Sequence, residues 1–175
     1  MSDMFFSTSP TDPAAQPLVQ DLIREYDGRY GDVPGRAPAV VELNRYAPEL
    51  FLPPRGRFLL LLRDGEPIAG GAFMPHAEPE TAEVKRVWAR SDLRRQGLAA
   101  RVVRELERLA WEQGYRHFYL TTGSRQPEAV GLYLSLGYEP HFDLNVDATQ
   151  FSHLPFRKRL VAPAGRVAEA LAFSA

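Results

Sequence analysis

The apolar positions of this 175-residue chain change their period several times, and each change marks an element. Arg57 to Arg63 (RFLLLLR) and Pro67 to Phe73 are two short apolar blocks separated by Asp64-Gly65. Asp and Gly both tolerate positive φ, so the three pieces predict a β-hairpin. Ala82 to Ala89 (AEVKRVWA) reads as a further strand, and the turn-rich segment Arg90 to Gln96 leads out of it. From Leu98 the period lengthens: Val102, Leu106, Leu109 and Ala110 are apolar, while Arg101, Arg104, Glu105 and Arg108 fall between them. That spacing predicts an amphipathic helix, and Gly114 ends it.

The rest follows the same logic. His117 to Thr121 is strand-like, Glu128 to Leu136 is helix-like with Gly137 as its stop, and Tyr138 to Leu144 with Phe151 to Val161 predicts a final strand pair. Near the start, Phe5 to Ser9 reads as a strand and Asp12-Pro13 as a helix start, followed by an apolar stripe of Leu18, Leu22 and Ile23. Between Gly31 and Arg57 the Pro and Gly content rises, with Val40, Val41, Leu43 and Tyr46 suggesting a short second helix. The Ala-rich tail after Pro163 reads either as a short helix or as a frayed end. Strands separated by helices predict an α/β chain, a mixed sheet covered by helices.

Length and composition narrow the function. A chain of this size is expected to form one domain over residues 1–175. With 45% hydrophobic and 25% charged residues, it matches ordinary globular proteins and not a disordered or fibrous chain. Lys plus Arg number 21 against 22 Asp plus Glu, so the broad positive field required for non-specific nucleic-acid or anionic-membrane binding is missing. The absence of Cys removes disulfides, thiolate nucleophiles and Cys-ligated zinc. The first residues lack a basic n-region, and the longest apolar run, Phe58 to Leu62, is too short for a membrane span, so a cytoplasmic protein is expected. His117, His141 and His153 have no metal-ligand spacing, and no metal site is expected.

Between the strand and the amphipathic helix lies Arg94-Arg95-Gln96-Gly97-Leu98-Ala99-Ala100. A Gly there lets backbone approach a ligand, and the helix that follows directs free N–H groups and a positive dipole outward. Such a turn can cradle a pyrophosphate, with Arg94 and Arg95 adding guanidinium forks. An ordinary capped helix with a basic start would look the same, so the context of strand, turn and helix is what favours a phosphate site.

At this point the residues resemble the GNAT superfamily of N-acetyltransferases. Arg94, Gly97 and Ala99 match its acyl-CoA signature, and Glu83 to Ala89 resembles its fourth strand. Gln126 to Tyr138, with Tyr133 four residues before Gly137, is similar to its second motif. The clear resemblance runs from about Ala82 to Tyr138. It implies a mainly antiparallel sheet and acetyl-CoA as cosubstrate. The pantetheine would lie between splayed fourth and fifth strands, beside the backbone of Val87, Trp88 and Ala89. The pyrophosphate would lie on the amides of Gln96, Gly97, Leu98, Ala99 and Ala100, near Arg94 and Arg95.

The resemblance also implies direct transfer of an acetyl group to an amine in a ternary complex. An alkylamine with a pKa of ~10.4 is neutral in only about one molecule in 2,500 at pH 7, a cost of about 4.6 kcal/mol. A base is therefore required, and Glu83 stands where some histone acetyltransferases of the superfamily carry theirs. Lys85, two residues on, offers a plain ion pair as the alternative, and His76 or a water chain is the other base candidate. Tyr133 is placed by resemblance to assist the departing thiolate, against the alternative of core packing beside Leu132 and Leu136.

The acceptor is expected to be a small-molecule or peptide amine, met by Tyr26, Arg29, Tyr30, Glu42, Arg45, Tyr46, Asp143 and Asn145, with cationic and anionic acceptors both open. Neither nucleic acid nor membrane is expected as a partner, and a homodimer is compatible with the reading. The competing function is a non-catalytic acyl-CoA-binding module with the same fold.

Overall fold

The computed structural model describes residues 1–164, so the reading of the Ala-rich tail lies outside the described residues. Strand β1 (Asp3–Thr8) leads to a 3-10 turn (Pro13–Ala15) capped by Asp12, whose carboxylate accepts the Ala14 N–H at 2.8 Å, and this turn opens helix α1 (Gln16–Tyr30). A short α2 (Ala39–Leu43) follows. Leu43 and Ala39 turn inward, while Val40 and Val41 stay 45% and 55% exposed, so half of that helix's apolar signal faces solvent. The hairpin forms as β2 (Arg57–Arg63) and β3 (Glu66–Pro75), with positive φ at Asp64 and Gly65 as a primed turn requires. Then come β4 (Thr81–Ala89), α3 (Leu98–Glu112), β5 (His117–Gly123), α4 (Pro127–Ser135), β6 (Glu139–Pro140) and β7 (His153–Arg159).

The seven strands form one sheet in the order β1-β2-β3-β4-β5-β7-β6, antiparallel except between β4 and β5. Helix α3 and helix α4 cover one face, where Leu59, Leu61, Phe73, Leu106 and Phe118 are buried. Helix α1 and helix α2 cover the other, burying Leu18, Leu22, Leu43, Phe51 and Trp88 with Phe58 and Leu60. Neighbours in β2 thus go to opposite cores, which explains the unbroken RFLLLLR block where one-sided burial would give alternation.

The end of the chain departs from expectation. Beyond Tyr138 the strand lasts two residues, and β7 inserts between β6 and β5, pairing with β5 along its whole length. The apolar residues that suggested a longer strand are used differently: the Phe142 ring packs edge-on against Phe156 at 5.3 Å and tilts against Phe151 at 6.0 Å. They plug the core from a loop.

Two irregularities in β4 position the site. First, β4 pairs with β5 only from Thr81 to Glu83, against His117 to Tyr119, and then the strands part. Second, Gly70 and Ala72 of β3 pair with Trp88 and Lys85, so β4 carries one extra residue, and Arg86 takes φ +58 there. This is a β-bulge, which bends the strand and re-aims its side chains.

Candidate active site

Beyond the fork, the gap between β4 and β5 opens into a cleft of about 1100 Å³. Its walls are α1, the second half of β4, the loop into α3, the end of β5 and α4, and its far end reaches α2 and the turn at Phe51. A strand pair that separates leaves backbone groups facing the gap, and an amide-bearing ligand can satisfy them.

At one end lies the loop before α3. Gly97 sits at φ +71 and Arg95 at φ +65, and α3 begins without a side-chain cap. The N–H groups of Leu98, Ala99 and Ala100 have no acceptor among the described residues. A Cβ on Gly97 would meet nothing within 4 Å, so backbone conformation, and not crowding by the chain, is what calls for Gly. Arg95 is exposed and without an ion pair among the described residues. Arg94 instead contacts Glu25 at 3.3 Å, and Glu25 also takes Arg29 at 2.9 Å. Arg29 in turn pairs with Glu128 of α4, so the charges of this wall are largely matched. Along β4, Trp88 turns towards α1 and donates its indole N–H to Asp21 at 3.0 Å, while Val87 and Ala89 pack on the α3 face.

At the apex of the fork stands Glu83, the last β4 residue paired with β5. Its side chain lines the cleft, is only 12% exposed, and lies 3.2 Å from the Lys85 ammonium. Tyr133 enters from α4, 6% exposed, with its ring edge-on to Tyr138 at 5.4 Å and beside Phe156 at 5.7 Å. The residue lines the cleft, and its hydroxyl makes no hydrogen bond among the described residues. Burial, with a smaller contribution from Tyr26, pushes the phenol well above its usual pKa. Tyr133 thus belongs to the core and lines the cleft as well. His76 lies elsewhere: its Nδ1 accepts the Glu78 N–H at 3.2 Å and its ring rests 4.7 Å from that of Tyr119, outside the cleft walls.

Of the groups expected to meet an acceptor, Tyr26, Arg29, Tyr30, Glu42, Arg45 and Tyr46 line the cleft, whereas Asp143 and Asn145 do not. Tyr30 has a structural task. Its hydroxyl accepts the Arg125 N–H at 3.1 Å and donates to the Gln126 amide oxygen at 3.3 Å, which also accepts the Gly123 N–H at 3.1 Å. Arg29 and Arg125 each donate to the other's carbonyl at 2.8 Å. These bonds tie the end of α1 to the turn after β5 across the open side of the fork. A Cβ on Gly123 would come within 1.8 Å of that hydroxyl.

Sequence reasoning missed Arg86. Strict alternation would send it to the same face as Ala82 and Val84, deep in the α3 core. The bulge returns it to the α1 and α2 face beside Lys85, where its guanidinium lies 4.8 Å from the Phe51 ring and donates to the Leu43 carbonyl. An arginine on the buried phase of a strand was the available signal.

Known proteins agree with this geometry. Residues 16–138 match the family model of the GNAT acetyltransferases. The chain is 26% identical over 136 residues to the uncharacterized N-acetyltransferase YjgM of Escherichia coli K12, covering 76% of this chain and 81% of that one. A GNAT-family acetyltransferase of Staphylococcus aureus Mu50 superposes with a TM-score of 0.69 at 10% identity, over 91% of this chain and all of that one. The PaiA N-acetyltransferase of Thermoplasma acidophilum, solved in complex with coenzyme A, gives 0.65 at 16% identity over 91% and 99% of the two chains. With the family model spanning well over half its length, the chain belongs to the GNAT acetyltransferase family and is an acyltransferase.

Proposed function

We propose that this protein moves the acetyl group of acetyl-CoA directly to an amine held in the same cleft. The observation that carries the reading is the place of Glu83: a nearly buried carboxylate at the apex of a fork whose other end is a loop of unpaired N–H groups. The fit to acyl-CoA rests on that loop. Gly97 leaves open space beside an αL backbone, three N–H groups of α3 lack acceptors, and Arg95 is unpaired among the described residues, a donor set suited to a pyrophosphate. The edges of β4 near Val87 to Ala89 would hold the pantetheine amides.

Acetyl-CoA supplies an activated acyl carbon. The amine nitrogen attacks that carbon, the C–S bond breaks, and the proton leaving nitrogen passes to Glu83, directly or through water. Lys85 holds the carboxylate in place while matching its charge. The Tyr133 hydroxyl faces the leaving sulfur. Because burial raises its pKa while a free thiol ionises near ~8.5, full proton transfer from the phenol runs uphill. Its contribution is therefore a hydrogen bond to the thiolate, which takes its proton later from solvent.

The test is thiol release from acetyl-CoA with a panel of amines. Release that depends on an amine and falls in Glu83→Gln supports the reading. Tight acetyl-CoA binding with no turnover on any acceptor would replace it with a binding module.

A further inference from the structure

The acceptor half of the cleft is not electrically balanced. Lys85 is matched by Glu83 at 3.2 Å and Arg45 by Glu42 at 4.0 Å. Arg86 and Arg36 have no carboxylate within ion-pair distance among the described residues, and both line the cleft. Arg36 lies 4.2 Å over the Tyr30 ring at the exposed rim. Arg86 is half-buried and bonded only to the Leu43 carbonyl. An unmatched guanidinium away from water is costly, and desolvation lowers its pKa accordingly. The fold nonetheless spends a β-bulge with positive φ to deliver this side chain to the cleft.

The cost is offset if an anion arrives with the substrate. Arg86 presents a planar fork that takes a carboxylate on two bonds, and it does so on the same sheet face as Glu83, three residues along the strand. Tyr26 of α1 lines the cleft as well. Burial pushes its phenol up to about 12, so its hydroxyl remains a donor, and it has no hydrogen-bond partner among the described residues. Both side chains line the same cleft. A purely cationic amine would instead meet an excess of positive charge there. We propose that the acceptor is an amine that also carries a carboxylate, in the simplest case an amino acid, and that the Arg86 guanidinium receives that carboxylate. The Tyr46 ring, which lines the cleft beside Lys85, receives the apolar body.

This proposal rests on the acetyl transfer put forward above, so the experiment separates the two. L-phenylalanine, L-leucine and L-lysine are compared with phenethylamine, 3-methylbutylamine and cadaverine, their decarboxylated counterparts, and with their carboxamides. Binding to the CoA-loaded protein is read by calorimetry, and kcat/KM by thiol release. At least one amino acid is expected to exceed its amine and its amide by about 10- to 150-fold, the range for a hydrogen-bonded charged group. That ratio should collapse in Arg86→Gln and partly recover in Arg86→Lys, with CoA affinity unchanged. Should the variants fail to fold, the acid-to-amide ratio of the wild type still decides. Amino acids that bind with this preference but release no thiol would sink the transfer and leave the carboxylate site standing. Amines and amides used as well as, or better than, all three amino acids would overturn the site and leave the transfer. A variant that loses every acceptor in proportion would reduce Arg86 to packing against Phe51 and overturn it as well.

Discussion

The two ends of the cleft are built from different materials. The loop end is one contiguous stretch, Arg94 to Ala100, that offers backbone N–H groups, and its surrounding charges Glu25, Arg29, Arg94 and Glu128 largely cancel. The other end is assembled from side chains of α1, α2, the turn at Phe51 and β4, and its charges do not cancel. Backbone donors serve a ligand part that never varies, whereas side chains can be exchanged without unfolding the loop. Under the proposed transfer, the contrast gives common chemistry to one end and selectivity to the other, with Glu83 between them.

The largest expected effect breaks the middle. Glu83→Gln should lower kcat/KM by about 10² to 10⁴, the usual range for a general base, with the deficit greatest below pH 8 where more acceptor is protonated. An unchanged pH–rate profile would remove the base assignment, and CoA affinity should not move. Next, Gly97→Glu should weaken CoA binding about a hundredfold, because a carboxylate then occupies the open space beside the unpaired N–H groups. The positive φ costs the variant only about 1 kcal/mol, so a folded protein with wild-type CoA affinity in calorimetry would contradict the assignment of that end. Tyr133→Phe keeps the ring contacts and should lower kcat by about tenfold, the loss of one hydrogen bond to the departing thiolate, with melting temperature and CoA affinity unchanged. Full kcat would leave only the packing role.

The smallest effect concerns an anchor of the loop-end helix. Asp3 accepts from Arg63 at 2.7 and 2.9 Å and from Arg101 of α3 at 2.8 Å, and these bonds hold its carboxyl well below the ordinary value of 3.8. A carboxyl depressed in the folded state stabilises above its unfolded pKa and loses that contribution as pH falls through the folded value. Stability should therefore start to decline below about pH 4, and Asp3→Asn should flatten that decline in acid-titrated melting curves. Identical acid limbs would rule the anchor out.

What was legible in the sequence was local. The Asp64-Gly65 turn, the stripe from Leu98 and the stop at Gly114 each depend on a few neighbouring residues, and each formed near its expected bounds. The loop of Arg94 to Ala100 was visible for the same reason. The fork was not, because the pairing of β4 with β5, and the residue at which it stops, is a contact between segments far apart in the chain. Nor was the use of Phe142 as a core plug, since a strand and a packed loop can present the same apolar residues. Arg86 shows the limit most clearly. AEVKRVWA reads as a regular strand until the register with Gly70 and Ala72 reveals the added residue.

The fork has a mechanical side as well. Strand β5 is joined to β7 by seven paired residues and to β4 by three, so the sheet behaves as two plates riveted at one end. Glu83 sits at that rivet, where three paired residues fix its backbone against Tyr119, while Arg29, Tyr30 and Arg125 bridge the other side of the gap to α1.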